Sequence, residues 1–539
     1  MLKATQRKGR GRDPPPIDPR STLNNFFPTV IEVSNHTLDT SQSAFITRVA
    51  LSSEQTDVLN MVVREGKSIF FTGATGTGKS LLLKAIIQAL KSKYSKEPMA
   101  IGVTASTGMA ASNIGGHTIH SWGGINPMKD DLEGIVKSVR TNKPAAKRWH
   151  LARVLIIDKI SMVDSVLFNC LSAVAQALRR QKQLLFGGLQ LIVTGDFFQL
   201  PPVSKHGQEP LFAFESQAWQ KIEHCVELRQ VFQQKDTAFV EALNSLHQGN
   251  PTPEAIALFS SLSRPLSVSL PGAVGKTSNT IVPTKLYPHR TAVQRANAKH
   301  LQALRSAPIE FIATDSGTRT SMLDALLAEA SLTLKLGAQV MLIKNVDEVL
   351  VNGLVGKVIG FYQAWELSTQ SDGTSGCILR HVLLDETHHA VLLESAEWNG
   401  RQKDLDRYPL VLFEYSNPRK GANTIVEAVL IHREEFRIED PEGKLLARRV
   451  QLPLILAWAM SIHKSQGQTL HHVRVNLADV FEREQSYVAL SRASSISGLE
   501  VINFRADKVM AHAKVIEWNK TLQSVQQVYN PTSELNVST

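Results

Sequence analysis

Over residues 51–90 the spacing of apolar positions changes twice. Val58, Leu59, Val62 and Val63 recur at the three-to-four spacing of a helix face. Ser52 followed by Gln55 predicts a capping box at the start of that helix. Ser68-Ile69-Phe70-Phe71 is a short apolar run that predicts a buried strand, and residues 81–90 return to a helical pattern. Further short apolar runs lie at Ile101-Gly102-Val103, Val154-Leu155-Ile156-Ile157 and Leu191-Ile192-Val193, with helical stretches such as residues 163–178 between them. Strands alternating with helices predict an α/β fold with a parallel sheet covered on both faces.

Residues 334–450 have a different texture. Strand-like runs at 339–343 and 356–361 are separated by turn-rich pieces at 371–376 and 417–423, which predicts a small β-barrel inserted in a second α/β domain. The chain has 539 residues, too many for one core, and about three or four domains are expected at roughly 150 residues each. No apolar run approaches the roughly 18 residues that span a bilayer, so no membrane partner is expected. Residues 1–45 are expected to be disordered. Six basic residues and Pro14-Pro15-Pro16 crowd the first 20 positions, a pattern open to three readings: nuclear signal, mitochondrial presequence or solvated tail. Asp13 and Asp18 count against the presequence.

Charge and cysteine content narrow the chemistry. The formal net charge of +10 suits a polyanionic partner such as nucleic acid and equally suits simple solubility. Cys170, Cys225 and Cys377 lie far apart, form no CxxC pair and are odd in number, which points to a reducing compartment and away from a zinc site.

Gly73-Ala74-Thr75-Gly76-Thr77-Gly78-Lys79-Ser80 fills every fixed position of a Walker A loop, between a predicted strand and a predicted helix. Its glycines let backbone N–H groups converge on phosphates, with Lys79 reaching the β/γ-phosphates and the Ser80 hydroxyl holding Mg²⁺. Asp158, ending a predicted strand, is the carboxylate expected on the metal side of bound ATP. Gly195-Asp196-Phe197-Phe198-Gln199-Leu200-Pro201-Pro202 follows another strand, and Gln199 is placed to orient water or sense the γ-phosphate. For nucleic acid, Thr104, Ser106, His120 and Ser121 can donate to phosphates, with His463, Lys464 and Ser465 doing so from further along the chain. Trp122, Phe198 and Tyr487 are candidates for stacking on bases, each also readable as core. Gln485 is placed with this DNA-binding set, and Lys143, Lys147 and Arg148 offer electrostatic attraction or a solvated basic surface.

These stretches resemble the PIF (petite integration frequency) helicases of superfamily one, beside the RecD-type enzymes. The likeness runs from Leu51-Ser-Ser-Glu-Gln55 through the Walker A loop, the segment from Val103 to Trp122, and the segment from Phe186 to Val203. It continues through Leu334 to Ile343, Trp458 to Leu470, and Gln485-Ser-Tyr-Val-Ala-Leu-Ser-Arg-Ala493, so that motifs agree in order over roughly residues 50–510. The resemblance implies two RecA-like P-loop domains with ATP between them and an inserted SH3-like β-barrel. The implied division is a tail at 1–45, a first domain at 46–225 with a wedge insertion near 120–148, a second domain at 226–333 and 451–515, the barrel at 334–450, and a tail at 516–539. It further implies a monomeric ATP- and Mg²⁺-dependent 5′-to-3′ DNA helicase, working on single-stranded and forked DNA in replication, repair, recombination or telomere maintenance. Its place would be the nucleus, the mitochondrion or both. Gln55 would read adenine, with helix capping as its plainer role, and Arg492 would reach the γ-phosphate from the second domain.

Two positions depart from the family pattern. Asp158 is followed by Lys159 where the family has Glu, the residue that polarises the attacking water. Losing a general base costs about 10²–10⁴ in rate. Val231-Phe232-Gln233-Gln234 carries Gln233 where the family has an arginine on the γ-phosphate, a group worth roughly 10³–10⁵. The alternative to a working motor is therefore a relative that binds ATP and DNA with impaired hydrolysis. A different P-loop class, such as a clamp loader, is disfavoured by the Gln485–Ala493 motif. In the N-terminal segment, Leu23-Asn24-Asn25-Phe26-Phe27 has the spacing of peptides that dock on the replication sliding clamp, with Arg20 in place of the usual glutamine.

Overall fold

The structure is a computed structural model and describes residues 30–34, 46–125, 131–202, 209–232, 236–266, 268–269, 280–346, 350–362, 407–416, 424–480 and 484–529. The expected nucleotide-binding half forms a seven-stranded sheet. Its strands run in the order Gln523–Ser524, His224–Glu227, Ile69–Thr72, Gln190–Thr194, Val154–Asp158, Ile101–Ala105 and His117–Thr118. Every pairing in it is parallel.

The continuous apolar runs follow from burial on both faces. Successive strand residues point to opposite sides of a sheet. Ile69, Phe71, Val154, Ile156 and Ile192 enter one core with the helices Ser53–Val63 and Lys79–Lys93. Phe70, Leu155, Ile157, Leu191 and Val193 enter the other, with the helix Ser165–Arg179. The capping box is present, because Ser52 Oγ accepts from Gln55 N while Gln55 Oε1 accepts from Ser52 N.

A second parallel sheet takes Ala459–Ser461, Thr284–Tyr287, Val473–Asn476 and Leu499–Ile502 in that order. Between Thr284–Tyr287 and the later strands of this sheet the chain makes the expected antiparallel insertion. Thr424–Leu430, Tyr408–Ser416, Val355–Tyr362, Gln339–Leu342 and Leu454–Leu456 form one sheet of it. Thr314–Gly317, Leu445–Gln451 and Glu434–Glu439 form another. Ile309–Ile312 pairs with Ser331–Leu334. Antiparallel strands thus begin before 334 and continue past 450. Phe311, Leu332 and Leu454 share one core with Val340 and Phe413, so the flanking strands belong to the same packing unit.

Both ends of the chain depart from expectation. Val30–Ser34, within the stretch expected to be disordered, pairs antiparallel with Ile46–Ala50. Residues 516–529, expected as tail, fold back on the first sheet. Gln523–Ser524 pairs with His224–Glu227, Val525 is fully buried, and the Trp518 ring stacks on Phe214 at 4.7 Å between centroids. The pairing strand is two polar residues long, too short to leave a periodic signal. Among the described residues no helix is long and apolar enough to cross a membrane.

Candidate functional site

The phosphate loop leaves the strand Ile69–Thr72 and enters the helix Lys79–Lys93. Gly73, Gly76 and Gly78 have φ of +149°, +93° and +78°, a region in which L side chains are strained. Space forbids a side chain as well. A Cβ on Gly73 would stand 2.5 Å from Leu228 O, and one on Gly78 would collide with the Gln55 amide. Gln55 is buried, and its Nε2 donates to Thr77 O at 3.1 Å while its Oε1 serves the capping box. It therefore caps the helix and braces the loop from the side on which the resemblance places adenine. Lys79 Nζ donates to Gly73 O and Ala74 O, folded onto the loop it would leave to reach phosphate. Burial pulls the Lys79 ammonium down to about 8, with Asp196 opposing and Lys159 reinforcing. The cradle of Gly73, Gly78, Lys79 and the helix start fits a polyphosphate.

The second domain closes over this loop. Tyr487, in the helix Gln485–Leu490, receives Thr75 N–H on its phenol oxygen at 3.0 Å and donates to Thr75 Oγ1 at 3.2 Å. Arg492 Nη2 donates to the same Oγ1 at 3.4 Å, and its other nitrogens are held by Val488 O and Gln468 O. Burial lowers the Arg492 guanidinium to about 10, against the pull of Tyr487 and Asp196.

A second chain of contacts runs beside the first. His247 Nε2 donates to Asp196 Oδ1 at 2.8 Å, and Gln199 Nε2 donates to Asp196 Oδ2 at 2.9 Å. Gln466 Nε2, from the second domain, donates to Gln199 Oε1 at 2.9 Å. The His247 ring lies 4.4 Å from Phe198 and 4.7 Å from Tyr487. Burial alone would raise the Asp196 carboxyl, but the charge and hydrogen bond of His247 outweigh it, and Lys79 and Gln199 help hold it at about 2. Sequence reasoning placed Gln199 here and missed His247 and Asp196 as a pair. His247 ends a helix with no motif around it, and only the loop Gly195–Gln199 carried a signal.

Asp158 ends its strand as expected, its Oδ1 accepting Lys159 N–H at 2.8 Å. Burial raises the Asp158 carboxyl, and the Lys159 charge opposes that shift. Ser80 is exposed at the start of its helix. Ser80 and Asp158 are the oxygen donors expected for a divalent cation, but the Lys159 ammonium is a charged neighbour of Asp158. This donor set suits Mg²⁺ poorly. Phe232 N donates to Gly76 O at 2.9 Å, so the chain crosses the phosphate loop immediately before Gln233, which lies outside the described residues.

The DNA-binding candidates divide by burial. Thr104 is fully buried and donates to Ile156 O, and Ser106 Oγ donates to Lys159 O at 2.9 Å. Ser465 and Gln485 are fully buried too, with Ser465 Oγ donating to Ile462 O. These side chains shape the site from within. Trp122 is buried edge-on against Trp149 at 4.7 Å, and Phe198 is buried against His247, so both are core rings. Tyr487 sits on the phosphate loop, where it cannot stack on a DNA base. Arg148 is also withdrawn from the surface. It donates to Trp122 O and Ser121 O and pairs with Glu442 of the inserted barrel. His120, Ser121 and Lys464 remain partly exposed, while His463, Lys143 and Lys147 are exposed.

Removing the Tyr487 hydroxyl separates the two placements of that ring. Tyr487→Phe loses two hydrogen bonds to the loop, worth about 1–2 kcal/mol together, and should weaken ATP binding roughly five- to thirtyfold. Single-strand affinity measured by fluorescence anisotropy should stay unchanged; a matching loss there would restore the base-stacking placement.

The family described as PIF1-like helicase matches residues 50–250, and that described as DNA helicase Pif1, 2B domain, matches residues 320–361. An ATP-dependent DNA helicase PIF1 of Emericella nidulans is 42% identical over 484 residues, covering 87% of this chain and 62% of that protein. The ATP-dependent DNA helicase RRM3 of Saccharomyces cerevisiae is 36% identical over 511 residues, covering 89% and 68%. A crystal structure of Pif1 helicase from Candida albicans superposes with a TM-score of 0.64 at 41% identity, covering 88% of this chain and all of that one. The chain spans 58–62% of the length of three fungal PIF1 relatives. With its two RecA-like domains and inserted barrel, the chain belongs to the PIF1-like helicase family.

Proposed function

We propose that this chain is an ATP-dependent DNA helicase that moves 5′ to 3′ on single strands, opens forked DNA, and serves replication, repair, recombination or telomere maintenance. The observation that carries the reading is the closure of the phosphate loop by Tyr487 and Arg492 of the second domain. A nucleotide gripped from both sides couples its own presence to the spacing of the two domains, and that coupling is what a translocating motor requires. The relatives' names as ATP-dependent DNA helicases support the same class. His120 and Ser121 of the first domain and His463 and Lys464 of the second are the side chains proposed to meet the DNA backbone, with Lys143 and Lys147 adding long-range attraction. We place the first domain at about 46–225 together with the returning segment Ala513–Asn519 to Val525–Tyr529, and the second around the barrel.

One observation favours slowed turnover within this class. Lys159 occupies the place of the water-polarising Glu, and an ammonium cannot accept a proton. Steady-state ATPase with single-stranded DNA tests both statements. The doubly restored variant Lys159→Glu/Gln233→Arg should hydrolyse at least about tenfold faster than the chain itself. Equal rates would remove the case for impaired hydrolysis, and DNA-independent rates in both proteins would count against a motor. The two effects need not add, since both groups act on one transition state.

The cluster Leu23, Phe26 and Phe27 lies outside the described residues. It is proposed to dock on the replication sliding clamp and so to hold the protein at nuclear forks. Calorimetry of a peptide spanning residues 18–32 with the clamp should give measurable heat that disappears in Phe26→Ala/Phe27→Ala. Silence from the parent peptide would end the idea.

A further inference from the structure

Lys159 is held in a way that its replacement of a glutamate does not by itself explain. Its backbone is left-handed, at φ 58° and ψ 45°, a conformation uncommon outside glycine. The main chain is pinned on both sides, since its N–H goes to Asp158 Oδ1 and its carbonyl accepts from Ser106 Oγ. Gly195 lies directly against the turn, where a Cβ would come within 2.9 Å of Ile160 N. This fixed backbone sends the side chain across the cleft between the domains. Nζ lies 3.9 Å from the position that a Cβ on Gly467 would take, and Gly467 itself has φ +84°.

The charges around that ammonium are unbalanced. Lys79, Lys159 and Arg492 bring three positive groups to the cleft, and Asp158 and Asp196 bring two negative ones. Asp196 is already committed to His247 and Gln199. Among the described residues the Lys159 ammonium has Asp158, Arg492 and Asp196 as charged neighbours and no hydrogen bond or ion pair of its own. Three cations from two domains therefore converge beside the phosphate loop, and Asp158, with one oxygen already taken by the Lys159 N–H, is the carboxylate left to offset them. Such an arrangement lacks an anion. It also repels a divalent cation, because the ammonium is a charged neighbour of Asp158, the carboxylate that would ligate one there.

We propose that Lys159 is a built-in counter-cation for the terminal phosphates of a bound nucleoside triphosphate, so that this chain holds ATP with little dependence on Mg²⁺. The proposal rests on the nucleotide-binding reading above. It assigns Lys159 a positive task, because the ammonium supplies from the protein the neutralisation that a divalent cation would otherwise bring. Asp158 then serves chiefly to hold the Lys159 main chain and to offset its charge.

Equilibrium titration of the full chain with a ribose-labelled fluorescent ATP analogue, in excess Mg²⁺ and again in EDTA, tests this. Chelation should weaken binding by less than about threefold in the chain, and by about tenfold or more in Lys159→Glu and Lys159→Gln, where the counter-cation is gone. An equal loss on chelation in the chain and in Lys159→Gln would overturn the proposal while leaving nucleotide binding intact. No saturable binding in either buffer would overturn both. If a variant does not fold, the ratio between the two buffers for the chain itself decides, because a loss of tenfold or so there is already incompatible with the proposal.

Discussion

Thr75 is the residue on which the two halves of the molecule meet. Its backbone N–H and its hydroxyl are both taken by the second domain, through the Tyr487 phenol and the Arg492 guanidinium. The phosphate loop cannot shift without moving the helix Gln485–Leu490, and that helix packs in the core of the second sheet through Val488, Ala489 and Leu490. The Asp196–His247 pair runs parallel to this contact and reaches Gln466 through Gln199. Because Tyr487, Arg492, Asp196, His247 and Gln199 are buried and partnered, leaving one of them unmatched would cost more than the bond itself contributes. The cleft is therefore held to a narrow range of geometries, and a change at the loop is transmitted to both domains.

The same region carries an electrostatic load that the rest of the fold has to support. Burial lowers Lys79, Lys159 and Arg492 together, so the charged forms of all three are disfavoured in this cleft unless an anion offsets them. Desolvating such groups costs several kcal/mol each unless well paired. The apolar cores on both faces of the first sheet, extended by the returning Trp518 and Val525, offset that cost. The inserted barrel adds a further tie. Arg148 braces the helix Ile119–Gly123 and reaches Glu442 between two barrel strands, so the barrel is linked to the first domain as well as to the one that encloses it.

Much of this was legible in the sequence, for physical reasons that can be named. Period and continuity of apolar residues located the parallel strands, since Phe70 and Phe71 face opposite cores and both must be apolar. The Walker A loop was readable because its glycines answer to backbone angles and to space around Gly73 and Gly78. The aromatic rings were harder. Trp122, Phe198 and Tyr487 lie in motifs that resemble DNA-binding segments, and nothing in local spacing separates a ring turned inward from one turned out. His247 was invisible because its partner Asp196 is 51 residues away in sequence. The returning C-terminal strand was missed because two residues, Gln523 and Ser524, make a pairing too short for any periodicity. Lys159 was the opposite case: its identity was conspicuous against the family pattern, while its direction across the cleft became apparent only from the left-handed backbone.

The central proposal is that this cleft grips a nucleoside triphosphate firmly and commits to its hydrolysis slowly. A single-turnover experiment tests it most directly, with the chain in excess over radiolabelled ATP and single-stranded DNA present, quenched over time and resolved into ATP and ADP. The account predicts that label co-elutes with the protein and remains ATP for many seconds to minutes. Conversion to ADP at about 10 s⁻¹, an ordinary turnover rate for an enzyme, would contradict it.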